Sequence, residues 1–160
     1  MIIYIIISFL LDGLLSNYIN TNIIDPSYFL TIYTVIALVI SFNYYKNNSK
    51  YLKILLIMGI LFDIVYTNTL LLNIVIFYLL YLVMKFLNIY IPNNFFTINV
   101  KSLLMVSIYH ILSYIILLLV NYINYPFSFL LNIILHSIIM TIIYTSFSYF
   151  LFKKLDKHYE

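Results

Sequence analysis

Five side chains in this sequence carry the types and spacing that chemistry would need: Asp12, Asp63, Asn73, His110 and His136, each inside a long apolar run. A charge at the centre of a membrane helix costs about 2.5 to 3.5 kcal/mol on insertion scales, so an acid in such a run needs a reason. Ser8, Asp12 and Ser16 share one helical face by their spacing of four, a polar stripe that should turn toward the protein interior. Gly59 stands one turn before Asp63 on the same face, and glycine lets another helix approach closely. Asp63 and Asn73 lie equally far along the two arms of a turn at 66–69, so they are candidates to meet across an antiparallel hairpin.

The same counting around 121–126 puts His110 and His136 at similar depth on two neighbouring helices, with Ser107 and Ser113 beside the first and Asn132 beside the second. Two readings stand for that pair: a proton relay or transport site, and neutral histidines acting as ordinary interhelical polar contacts. Asp12 and Asp63 divide in the same way between packing and the contact of a ligand or partner. Neither acid has a neighbour suited to paired-carboxylate or triad chemistry, and no glycine-rich phosphate loop is present, so the sequence points away from an enzyme. With no cysteine and three scattered histidines, no cofactor and no metal site are expected.

The elements that must hold these residues follow from composition. Hydrophobic residues make up 65% and charged residues 8% of 160 positions, and the mean hydropathy is +1.08. Soluble domains run at roughly 45 to 50% apolar and 25% charged, so a water-soluble fold is excluded. At about 20 residues per span the chain holds at most six or seven helices and no separate soluble domain. They are expected at about 1–18, 28–45, 51–66, 70–87, 102–120 and 127–152, an all-α transmembrane bundle forming a single integral membrane domain over 1–160. The first is expected to be a retained helix, since it lacks a basic leader and a small-residue cleavage site. Asp25 and Pro26 are expected to open the second, because proline suits a first helical position. The stretch 88–100, with Pro92 and paired asparagines and phenylalanines, is expected to be a long connection lying among lipid headgroups.

All the strong bases are lysines: Lys46, Lys50 and Lys53; Lys85 and Lys101; Lys153, Lys154 and Lys157. They fall on alternate connections, and positively charged short loops stay cytoplasmic during insertion. Six spans with both termini in the cytoplasm are therefore expected, the lysines serving as topology signals and lipid anchors. They form no basic stripe with exposed aromatics, so nucleic acid is not an expected partner; the lipid bilayer is. Tyrosines at run ends (Tyr44, Tyr45, Tyr51, Tyr66, Tyr90, Tyr122, Tyr125) are expected to form the interfacial belt.

Leu10-Leu11-Asp12-Gly13-Leu14-Leu15-Ser16, then Asp25-Pro26, then Gly59-Ile60-Leu61-Phe62-Asp63-Ile64-Val65-Tyr66-Thr67, in that order and spacing, resemble the bacterial rod-shape-determining MreD family in its low-GC Gram-positive form. The chain departs from the pattern at Asn68-Thr69, where such members commonly carry glycine. The resemblance implies a non-enzymatic subunit of the cell-elongation machinery in the cytoplasmic membrane, supporting peptidoglycan synthesis and cell shape. The implied partners are an MreC-like single-span protein, a RodA-type glycosyltransferase with its class B penicillin-binding transpeptidase, and indirectly MreB filaments. It also implies a fold similar to the six-helix substrate-binding subunits of energy-coupling-factor transporters. In that setting Asp12 and Gly13 would orient the first helix, Gly59 would admit a close helix and Asp63 would anchor it. The alternative is a vitamin-binding subunit of a transporter, for which His110, His136 and the stripe on the first helix speak; the lack of alanines three or four apart speaks against it.

Overall fold

The computed structural model describes residues 1–18, 32–43, 48–67, 71–122 and 124–156, and among them every regular element is helical. In chain order these are α1 (Ile2–Tyr18), α2 (Tyr33–Phe42), α3 (Asn48–Phe62), which runs on into a π-helical turn at Asp63–Thr67, α4 (Leu72–Tyr90), α5 (Phe95–Leu119) and α6 (Phe127–Asp156). Asp25 and Pro26 lie outside the described residues, as do Tyr44, Tyr45, Lys46 and Lys157. Three helices, Leu72–Tyr90, Phe95–Leu119 and Phe127–Lys153, are long and apolar enough to cross a membrane. Their outward residues are large and apolar, among them Phe86, Leu104, Leu135, Ile139 and Phe147. Surface of that kind is stable against lipid chains and not against water.

α2 sits at the centre. Every side chain from Tyr33 to Ser41 is buried, and the helix packs against α1, α5 and α6. Being hydrophobic all round, it belongs in a core and not at a lipid boundary. α3 packs on α4, α4 on α5, and α5 on α6, so the outer helices close around it. Ile36, Ile40, Phe77, Met84 and Met105 form the middle of the core.

The two ends of the bundle differ. Asn88 Nδ2 near the end of α4 donates to Asn43 Oδ1 just past α2, at 3.1 Å. Tyr4 at the start of α1 donates to Ser148 Oγ near the end of α6, at 2.7 Å, and packs edge-on against Phe152. Phe95, the first residue of α5, packs on Tyr149 and Phe150. One end therefore gathers the start of α1, α3 and α5 with the finish of α2, α4 and α6, and it carries Lys50, Lys53, Lys85, Lys101 and Lys153.

Five expectations need correction. The second helix begins at Tyr33, not near 28; Ile32 is extended, with φ −96° and ψ 96°. The connection between α4 and α5 is short, because α4 continues to Tyr90 and α5 starts at Phe95. The asparagines read as loop residues act instead as a helix start: Asn94 N–H donates to Thr97 Oγ1 at 2.8 Å, one arm of a capping box. Tyr51 is not a belt residue; it is buried, and its hydroxyl donates to Leu38 O at 2.9 Å. Lys101 is not a headgroup anchor, since it is fully buried.

Gly59 marks where α3 and α4 come closest. A Cβ there would stand 2.9 Å from Ile74 Cα and 3.1 Å from its N, both backbone atoms that cannot step aside. Gly59→Ala is expected to lower stability by about 1–3 kcal/mol through overpacking. Resistance to SDS-induced unfolding in mixed micelles measures it, and an unchanged midpoint would show that α4 can move away freely.

Candidate functional site

A helix start leaves backbone N–H groups without partners, and where that start is buried no water takes them up. α2 and α4 both begin after residues that cannot help, Ile32 and Leu71, whose side chains hold no acceptor. In each case the acceptor comes from the preceding helix. Asp12 on α1 accepts the Tyr33 N–H at 2.7 Å on one carboxylate oxygen; the other accepts the Thr34 N–H at 2.9 Å and the Thr34 hydroxyl at 2.5 Å. Asp63 accepts both the backbone N–H and the side-chain amide of Asn73, each at 2.9 Å. A negative group at a helix N-terminus also meets the positive end of the helix dipole.

Asp63 and Asn73 thus meet, and a third helix joins them. The Tyr109 hydroxyl on α5 donates to Asn73 Oδ1 at 2.6 Å, so one buried chain of polar groups ties α3, α4 and α5. Tyr109→Phe is expected to cost about 1 kcal/mol, the net worth of one such bond. Thermal unfolding in detergent at matched protein concentration would read it, and a gain in stability would contradict this role.

Gly13 and Tyr66 connect the two joints. The Tyr66 hydroxyl donates to Phe9 O at 2.5 Å, and a Cβ on Gly13 would come within 2.6 Å of that hydroxyl oxygen. Glycine at 13 leaves a notch in α1, and the tyrosine fills it. Phe9, Phe62 and Tyr66 pack as a trio of rings across the same seam.

His110 and His136 each have a neighbour on their own helix. His136 Nδ1 lies 2.7 Å from Asn132 O on its own helix, and His110 stands edge-on to Tyr109. Among the described residues no group of three potential metal ligands forms. A buried pocket lined by Val35, Leu38, Val39, Phe77 and Met105 has a volume of about 10 Å³, room for at most one water molecule. The roomier groove, about 500 Å³, opens at the end away from the lysines, between Leu71, Leu72 and Val75 on one side and Ile116, Leu117 and Val120 on the other. No protein-family model, no curated protein and no solved structure matches the chain. Its chemistry has to be read from its own contacts.

Two polar features escape a reading of the sequence. The first is Lys101, whose Nζ donates to Asn88 Oδ1 at 2.5 Å, Asn93 Oδ1 at 2.7 Å and Ile91 O at 2.9 Å. An ammonium has three donors, and all three are used here. The second is a buried stripe on α6, Ser137, Thr141, Thr145 and Ser148. Small residues at spacings of three and four allow close helix approach, and serine and threonine provide this as well as alanine. The repeated spacing stands in the sequence, carried by serine and threonine in place of alanine. Near it Ser8 Oγ pairs with the Tyr144 hydroxyl at 2.7 Å, which fastens α1 to α6.

Proposed function

We propose that the protein is a non-enzymatic, multi-pass subunit of the bacterial cell-elongation machinery, of the MreD type. In this reading all six helices lie in the cytoplasmic membrane with the lysine end and both termini inside. The bundle, similar in plan to energy-coupling-factor substrate-binding subunits, scaffolds peptidoglycan synthesis through an MreC-like single-span protein and a RodA-type glycosyltransferase with its class B transpeptidase.

The observation that carries the reading is the contact between its two most specific segments. Gly13, from Leu10–Ser16, forms the notch into which Tyr66, from Gly59–Thr67, is fitted. The acids of the same segments each hold the start of the next helix. Residues used in this way build a rigid platform, as a surface that holds partner helices requires. The outward faces are left apolar for lipid and for the helices of partners.

Depletion of the protein in its rod-shaped host should widen or round the cells. The tagged full chain, extracted in mild detergent, should bring down the single-span partner. Normal cell width at a depletion confirmed by immunoblot, together with no such partner in the pull-down, would overturn the proposal.

A further inference from the structure

The end of α3 is wound in an uncommon way. From Asp63 to Thr67 it is π-helical, with i→i+5 bonds that hold one more residue per ring than the α-helix before it. π-turns are rare, and they persist where tertiary contacts stabilise them over the α form. Three such contacts meet here. Asp63, at the start of the turn, is fixed by Asn73. Tyr66, near its finish, is bonded to Phe9 O and fills the notch at Gly13. Phe62, just before it, packs against both Phe9 and Tyr66.

We infer that Asp63–Thr67 is a two-state joint, π-wound while Tyr66 occupies the Gly13 notch and α-wound when Tyr66 leaves it. Rewinding i→i+5 bonds to i→i+4 slips the segment by one residue, which in an α-helix is about 100° of rotation and 1.5 Å of rise. That rotation carries Tyr66 away from Phe9 and turns a different face of the tip outward in place of Ile64 and Val65, both exposed in the π-wound state. Asp63 precedes the slipping part, so the bond to Asn73 and the α3–α4 contact at Gly59 act as the fixed side of the joint. The notch on α1 sets the balance between the states, and anything that moves α1 relative to α3 shifts it. The joint thereby couples the position of the first helix to the surface offered at the end of the third. This inference rests on the contacts of Tyr66 and is independent of any role in cell elongation.

The chain has no cysteine, so spin labels can be attached at introduced cysteines with no prior substitution. Val65→Cys paired with Ile139→Cys on α6 reports the tip, and Leu82→Cys paired with Ile139→Cys reports the rest of the bundle; all three positions are exposed. In lipid nanodiscs the tip pair should give one dominant distance by pulsed dipolar spectroscopy. Gly13→Ala, which fills the notch, should move it by roughly 5 Å, the scale of a 100° turn on a helix about 10 Å across. The control pair should stay put. Tyr66→Phe keeps the ring and removes the bond to Phe9 O, and it should populate both distances. An unchanged tip distance in Gly13→Ala and Tyr66→Phe overturns the inference, and so does an equal shift in the control pair. If Gly13→Ala fails to fold, Tyr66→Phe alone decides in the same way.

Discussion

Asp12→Ala is expected to be the most damaging single substitution in the protein, lowering its stability by about 3–5 kcal/mol. The change removes a buried acid, and that relieves a desolvation cost. It also strands three donors, the N–H groups of Tyr33 and Thr34 and the Thr34 hydroxyl. Each buried donor left without a partner costs about 1–3 kcal/mol. Thr34 is fully buried and Tyr33 nearly so, and the N-cap Ile32 has no side-chain acceptor, so among the described residues nothing takes over. The stranded donors therefore outweigh the relief. Asp12→Asn keeps one acceptor oxygen while turning amide hydrogens toward a donor, and about half the loss is expected. The midpoint of SDS-induced unfolding should rank wild type above Asp12→Asn above Asp12→Ala. If Asp12→Ala matched wild type, the capping of α2 by α1 would be refuted.

Lys101 carries the second large effect. Replacing it with methionine keeps the length of the side chain and takes a donor from each of three oxygens that close the α4–α5 turn. One of them is the carbonyl of Ile91 at the C-terminal cap of α4, where a positive charge also meets the negative end of the helix dipole. Asn93 is exposed and regains water, whereas Asn88 is half-buried, so the expected loss is about 2–3 kcal/mol. Asn93→Ala should cost well under half of that, for the same reason. The burial of Lys101 has a direct chemical signature. Under brief treatment with an amine-reactive ester, Lys50, Lys53, Lys85 and Lys153, all exposed, should be modified, while Lys101 should remain free until the protein is unfolded. Early modification of Lys101 at the rate of Lys85 would show that the ammonium is not enclosed.

The same lysine shows what a sequence discloses and what it withholds. Its charge, at the edge of an apolar run, identified the end of the bundle on which it lies. Its burial depends on oxygens from Asn88, Ile91 and Asn93, all in a preceding turn, and no rule of local spacing assembles those three. The start of α2 was hidden for a related reason. Even the local cap of α5, Asn94 with Thr97, was masked by a stretch that reads as loop, and the cap of α2 is not local at all: Ile32 offers no acceptor, because the acceptor is Asp12, about twenty residues earlier. The Asp63–Asn73 pair was accessible because counting from a turn works for an antiparallel hairpin, where geometry is set by position alone. Gly59 was readable as a place of close approach, and its neighbour is Ile74 of the same chain. His110 and His136 were matched by depth in the same way as Asp63 and Asn73, and that count by itself leaves the rotation of each helix about its axis open. His136 reaches Asn132 O on its own helix.

The two carboxylate caps also impose an order on biosynthesis. A ribosome makes Asp12 before Tyr33 and Asp63 before Asn73, so each acceptor is already present when the helix that needs it arrives. α2, with ten residues, is about 15 Å long and reaches only halfway through a hydrocarbon layer of about 30 Å. Released alone into lipid, its first amides would face hydrocarbon. The chain is therefore built to fold as successive hairpins, α1 receiving α2 and α3 receiving α4, with the earlier helix of each pair acting as the template on which the later one is completed.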